Sequence, residues 1–294
     1  MLNERARRNF FAYFMLTPGV LLMIVFTFYP IIYGLPLTLT NYSVIGETKW
    51  IGLANFKRAF SDPDFLLALK NSILYIIVVP VIQILSMLMA ILVNNKLKGV
   101  HFFRVAYFVP VVTSMVAAAI AWKWMFEQKG IVNYLLQSVG ITSGNIAWLA
   151  NPNTALYAVM FVTVWKGLGY YMMIYLAGLQ SIPAELQEAA KIDGANRSQV
   201  IWHVTIPLLK PFVLLCSLLS VMSAIRVFDE VYVMTGGGPA HSTMVTGVYT
   251  YIKAFQEFDF GYAAAIGLIV SLIVMIFSIV LFKYGKKGGL NYYG

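Results

Sequence analysis

Residues 72–93 read SILYIIVVPVIQILSMLMAILV, an apolar run that contains no charged residue. As a helix rising 1.5 Å per residue it is about 33 Å long, enough to cross a hydrocarbon layer of about 30 Å. Backbone groups in lipid have no water to bond and must pair within the segment, so helix is the expected form. The alternating pattern of ten-residue barrel strands is absent. The stretch therefore predicts a transmembrane helix.

Comparable runs occupy about residues 11–35, 105–126, 154–177, 208–228 and 262–282, which brings the predicted spans to six. Composition agrees: of 294 residues, 60% are hydrophobic and 11% charged, against about 25% charged in soluble proteins. The expected fold class is an all-α integral membrane protein. The first run follows Arg5, Arg7 and Arg8, but it is too long for a cleaved signal peptide, and no small-residue cleavage pattern follows Pro18 or Pro30. No linker, low-complexity tract or repeat divides the chain. Residues 1–70 read as an N-terminal segment with the first span and first external loop, residues 71–283 as the main transmembrane domain, and residues 284–294 as a tail. In the external loop, Asp62-Pro63-Asp64 precedes Phe65, Leu66, Leu67 and Leu69, which predicts a short helix lying on the membrane surface.

The net charge of +9 is not gathered into one basic patch, so nucleic acid is not the expected partner. Cationic residues sit at the ends of the apolar runs. With the N-terminus inside, twelve fall on the cytoplasmic side, among them Arg5, Arg7, Arg8, Lys96, Lys98, Arg104, Lys191, Arg197, Lys286 and Lys287, and six on the other, including Lys49, Lys57 and Lys253. Both termini are thus expected in the cytoplasm. The single cysteine, Cys216, lies within an apolar run, excludes an internal disulfide and reads as a small buried apolar residue.

The longest predicted cytoplasmic connection runs from Ser181 to Pro207. Ser181 can cap a helix, Pro183 suits its first turn, and Glu185 complements the positive end of its dipole. Helix-forming residues continue to Ile192, Gly194 supplies the backbone freedom that ends a helix, and a second helix is expected from Asn196 or Ser198. Ala189, Ala190 and Ala195 leave little bulk, so the element either docks into a groove of another protein or is an ordinary amphipathic connector.

Glu188-Ala189-Ala190, Asp193-Gly194-Ala195 and Ile206-Pro207 resemble the EAA loop of membrane subunits in binding-protein-dependent ATP-binding-cassette importers. Ile201 stands where that pattern often has Phe, and Val204 where it has Ile. Three further segments, Trp50–Phe56, Tyr175–Pro183 and Val233–Pro239, resemble the carbohydrate branch and its maltose-type first permease, in a compact version without extra N-terminal spans or a large external insertion. The resemblance implies a type I importer permease of a bacterial or archaeal cytoplasmic membrane, embedded in membrane lipid. It further implies ATPase coupling through Glu188, Ala189, Ala190, Asp193, Gly194 and Ala195. The implied partners are a second permease in a heterodimer, two ABC ATPase subunits, an extracytoplasmic solute-binding protein and a carbohydrate: a sugar, oligosaccharide, polyol or sugar phosphate. No cofactor is expected in this chain, and ATP and Mg would be used by the partner ATPase, leaving this subunit without enzymatic activity.

Lys166 falls near the middle of the fourth predicted span beside Gly167 and Gly169. An ionised lysine there costs at least about 2.5–3.5 kcal/mol, so it should face protein or water. It is either a pathway residue or a structural lysine held by neighbouring carbonyls. Arg226, Phe228, Asp229, Glu230 and Tyr232 cluster where the fifth predicted span ends. Donors, acceptors and ring faces together suit sugars, while an interfacial belt with salt bridges is the plainer alternative. In the resembled family this helix lines the solute path, which favours Arg226, Phe228, Asp229 and Tyr232.

Gly236–Gly238 is followed by no Gly-Lys-Ser/Thr, so a phosphate loop is not expected. A tight turn remains, structural or beside a docked binding protein. His101, His203 and His241 are dispersed and predict no metal site. No set of side chains suggests catalysis. An ion-driven secondary transporter would need inverted repeats and an embedded acid, and no Asp or Glu falls inside a predicted span.

Overall fold

In the computed structural model, residues 4–43, 46–94 and 99–287 are described. Lys96, Lys98 and residues 288–294 of the predicted tail lie outside the described residues, as do the side chains of Arg5, His101, Lys286 and Lys287. Each apolar run forms helix, and no strand occurs among the described residues, only isolated bridges such as Thr40 to Trp50. Among the described residues, five helices are long and apolar enough to cross a membrane, and a bent pair brings the number to six when it is counted as one span. The chain divides into two compact units, Met1–Asp62 with Thr250–Ile269, and Pro63–Tyr249 with Val270–Gly294.

In the first unit, α1 (Ala6–Leu37) leaves its apolar side chains mostly exposed, the condition of a helix solvated by lipid. A short amphipathic helix, α2 (Ala54–Ser61), follows. Its buried Asn55 donates to the carbonyls of Thr38 and Thr40 at 3.0 and 2.8 Å, which ties the end of α1 to the loop that follows it. Arg58 pairs with Asp259 at 2.6 Å and lies 3.9 Å over the ring of Tyr262, whose hydroxyl donates to Asp62.

The second unit begins with α3 (Pro63–Val93). The surface helix expected after Asp62 is not separate: it runs into the second span through a tight turn at Tyr75–Ile77. Asn71 and Ser72 do not stop it because both find partners. Asn71 donates to the carbonyls of Ser242 and Met244, and the Ser72 hydroxyl pairs with that of Thr246.

The third span differs from a continuous helix over residues 105–126. It is two helices, α4 (Val100–Val112) and α5 (Met115–Met125), bent by 101°. Pro110 contributes no N–H to the ladder, and Thr113 and Ser114 are extended, with ψ of 141° and 136°. Next comes a short helix, α6 (Ile131–Ser138), anchored by Asn133 at 1% exposure. The Asn133 amide donates to the carbonyls of Glu127, Gln128 and Ile146 and accepts from the Trp148 indole N–H.

Helix α7 (Ala155–Ser181) packs against α3 and α4. A Cβ at Gly169 would overlap the backbone carbonyl of Tyr107, so only glycine permits this approach. The chain then forms α8 (Ala184–Ile192), a short capped turn from Arg197, α9 (Lys210–Ile225), α10 (Asp229–Met234) and α11 (Phe260–Lys287). Polar groups bridge α3, α7 and α9 at their core. Tyr175 donates to the Gln83 amide oxygen, and the Gln83 amide donates to Ser220 at 2.8 Å and to the Cys216 carbonyl at 3.2 Å. Cys216 is fully buried, as its apolar surroundings predict.

Gly169→Val should destabilise the second unit by about 1–3 kcal/mol, the usual cost of overpacking, measured as a lower Tm in detergent. Gly167→Ala, whose Cβ would meet only the Ile82 side-chain terminus at 3.1 Å, should be milder.

Candidate functional site

Within the second unit, α3, α7, α9 and α10 enclose a cavity of about 430 Å³. Two interruptions in the helices shape it. One is the α4–α5 break. The other is the non-helical link Arg226-Val227-Phe228 between α9 and α10. Lys166, Arg226, Phe228 and Asp229 all line the cavity, and Tyr232 stacks on Phe228 with ring centroids 5.2 Å apart. The five residues that the sequence nominates for a pathway are thus brought together.

Lys166 does something more specific than line a path. Its ammonium donates to the carbonyls of Pro110, Val111 and Thr113 at 3.2, 3.1 and 2.8 Å. These carbonyls are at the end of α4, where the break leaves them without helical partners. The cation both satisfies them and opposes the negative end of the helix dipole. Of the two readings open for this residue, carbonyl capping is the one the geometry displays, although the side chain also borders the cavity.

Glu230 departs from expectation. The apolar run ends at Phe228 in sequence, yet Lys210–Met234 is one candidate span and Glu230 lies within it, 5% exposed. The expectation that no acid lies inside a span is therefore corrected: the first turn of α10 carries Glu230 back into the bundle. Thr163 donates to its Oε1 at 2.7 Å. With that proton committed, Tyr75 is the donor to Thr163, giving a directed chain from Tyr75 through Thr163 to Glu230. Thr163 and Tyr75 are too ordinary in sequence to be singled out.

The connection expected on the cytoplasmic side forms as a helix, turn and helix. Ser181 does not cap α8; it ends α7 and donates to the Gly178 carbonyl at 2.8 Å, and Pro183 occupies the cap position. Helical propensity through Gly178-Leu-Gln-Ser181 carries α7 further than the cap pattern implies. At the other end, Gly194 adopts φ +84°. The Ala195 N–H bonds the Ala190 carbonyl and the Gly194 N–H that of Lys191, the paired bonds of a Schellman cap. Asn196 and Gln199 form a reciprocal capping box for the next turn. No residue of α8 is buried, and Ile192 is 86% exposed.

The cavity and this exposed element share two helices. Thr163 and Lys166 lie on α7, which leads directly into α8. The segment after α8 leads through α9 into Arg226 and Glu230. From Lys166 to Ser181 the helix covers about 22 Å.

A profile of the binding-protein-dependent transport system inner membrane component family matches residues 65–284. The chain is 36% identical over 281 residues to a probable ABC transporter permease protein of Bacillus subtilis (strain 168), covering 94% of this chain and 96% of that protein. It is 37% identical over 276 residues to the lactose transport system permease protein of Rhizobium radiobacter, covering 92% of each. In fold it is similar to a solved bacterial ABC transporter involved in import of the acidic polysaccharide alginate, with a TM-score of 0.83, 22% identity and coverage of 97% and 98%.

Lys166→Met should leave the α4 carbonyls unpaired and cost at least about 1.5 kcal/mol, the lower value for one hydrogen bond to a charged group. Thermal unfolding in lipid nanodiscs measures this. Lys166→Arg, which keeps the charge, should recover part of the loss.

Proposed function

The chain belongs to the binding-protein-dependent transport system inner membrane component family, and from that premise we propose that it is a carbohydrate permease of an ATP-binding-cassette importer, pairing with a second permease to form the pathway. The observation that carries the mechanism is the shared framework of α7 and α9, which joins the exposed α8 at one end to the polar cavity at the other. A push on α8 has a rigid route to the cavity. A rigid-body switch between two packings of the bundle needs such a route.

On this reading α8 is the coupling helix. Glu188, Ala189, Ala190, Asp193, Gly194 and Ala195 contact one of two partner ATPase subunits, which bind and hydrolyse ATP with Mg. The Schellman cap holds Asp193 and Gly194 in a fixed turn, and the exposed Leu186 and Ile192 supply the apolar contact that seats the helix. Residues 71–283 form the transmembrane domain of the type I importer, residues 1–70 the preceding segment, and residues 284–294 the tail. Both termini face the cytoplasm of a bacterial or archaeal cell, and a solute-binding protein delivers solute from the other side. Arg226, Phe228, Asp229 and Tyr232 contact the solute, with Lys166 holding the adjacent helix break. The carbohydrate class draws on the lactose relative and on the mixture of acceptors and stacked rings at the cavity.

Glu230 supplies the embedded acid that an ion-coupled transporter would also need. The two mechanisms differ in energy source. Uptake of labelled sugar into vesicles should require ATP and the ATPase subunits and should survive an ionophore that collapses ion gradients. Glu188→Lys combined with Gly194→Trp should abolish ATP-driven uptake and weaken ATPase association while the permease still inserts in the membrane. Full uptake and assembly in that variant would contradict the coupling assignment.

A further inference from the structure

The carbohydrate reading leaves the charge class of the solute open, and the cavity speaks to it. Two carboxylates, Asp229 and Glu230, and two cations, Lys166 and Arg226, line the space. Formal charge balances, but availability does not. An ammonium has three donors, and the three bonds from Lys166 all go to carbonyls of the α4–α5 break. Glu230 is held by the Thr163 hydroxyl at 2.7 Å and takes part in no ion pair among the described residues. Glu230, 5% exposed, is thus an acceptor on the cavity wall with no cation within ion-pair distance among the described residues.

Two solute chemistries fare differently there. A neutral sugar presents hydroxyl donors, which form charge-assisted hydrogen bonds with carboxylates about twice as strong as neutral ones. Its C–H faces can lie on the stacked Phe228 and Tyr232 rings. An anionic sugar brings a like charge beside Asp229 and Glu230 in a partly desolvated space, where such a charge is disfavoured. Lys166 is half-buried and keeps its charge beside the cavity, but its three donors are committed to carbonyls, which leaves Arg226, at the exposed edge, as the cation with donors to offer an anion. Similarity in fold to an importer of an acidic polysaccharide does not carry that preference across 22% identity.

We propose that Glu230, held in place by Thr163, is a specificity-determining residue that makes this cavity select neutral polyhydroxyl solutes and reject carboxylated or phosphorylated sugars. The proposal rests on the carbohydrate reading and narrows it. Glu230 contacts the solute, and Thr163 acts as a positioning residue.

The test separates the permease from its binding protein. The permease pair with its ATPases, in nanodiscs and trapped with ATP and vanadate, is assayed by equilibrium binding of radiolabelled neutral di- and trisaccharides and of the C6-oxidised uronic form of each. At least one neutral sugar should bind, with its uronic form at least about tenfold weaker, a factor in the range of one like-charge interaction. Glu230→Gln should close that gap to under about threefold while the complex stays assembled on size exclusion. Thr163→Val should weaken the neutral sugar but keep the discrimination, which provides a readout even where Glu230→Gln fails to assemble. Equal binding of the two forms, or an unchanged gap in Glu230→Gln, would overturn the inference and leave the carbohydrate reading standing. Binding of no neutral sugar would overturn the carbohydrate reading itself.

Discussion

Lipid offers the backbone no hydrogen bonds, so any chain that interrupts a helix inside the membrane must repair the interruption from its own side chains. Here the repair is the Lys166 ammonium on the Pro110, Val111 and Thr113 carbonyls. Much of the second unit follows from it. Helix α7 must pass close enough to α4 for the lysine to reach, and Gly169 allows that approach by leaving room for the Tyr107 carbonyl. The bend of 101° turns α5 away from α4, and the cavity bordered by Lys166 opens beside it. A lysine that is costly when unpaired in lipid is stabilised by groups that would themselves be costly when unpaired.

The second interruption, at Arg226-Val227-Phe228, is repaired differently. Phe228 opens α10, and the first turn of that helix returns Glu230 to the bundle, where Thr163 from α7 meets it. Both repairs therefore draw on the same helix, from side chains at Thr163 and Lys166 that are one turn apart. That helix also ends at the turn into α8. The permease mechanism proposed for the chain needs no flexible transmitter, because one stiff element carries the cavity at its middle and the lever at its end. Polar cross-links from Tyr175 through Gln83 to Ser220 bind α3 and α9 to it, so the three helices can move as a block.

How much of this could be read from the residues depended on the range of the interactions involved. The spans were legible because length and apolarity are properties of single segments. Gly194 announced its turn because a left-handed residue is a local demand, and the next helix was expected from Asn196 or Ser198, of which the Asn196–Gln199 capping box selects the first. The α4–α5 break was not legible. Pro110 is compatible with a mild kink, and Thr113 and Ser114 are not breakers; what keeps them extended is a lysine more than fifty residues away. Glu230 was misplaced for a related reason. Arg226 and Asp229 look like the end of a span, and only the buried Thr163 partner shows that the chain re-enters. Ser181 has the composition of a cap but falls inside the reach of a helix that does not stop where expected. In each of these cases a contact distant in sequence overrode a local signal.

Transport by the proposed mechanism depends on α8 being a lever seated in an ATPase on the cytoplasmic side. A photo-cross-linking amino acid at Ile192, 86% exposed at the end of α8, tests it in the assembled transporter. The account predicts an adduct with an ATPase subunit that increases when nucleotide is bound. An adduct with the solute-binding protein, or protection of this position by a membrane-impermeant reagent added outside intact cells, would contradict it.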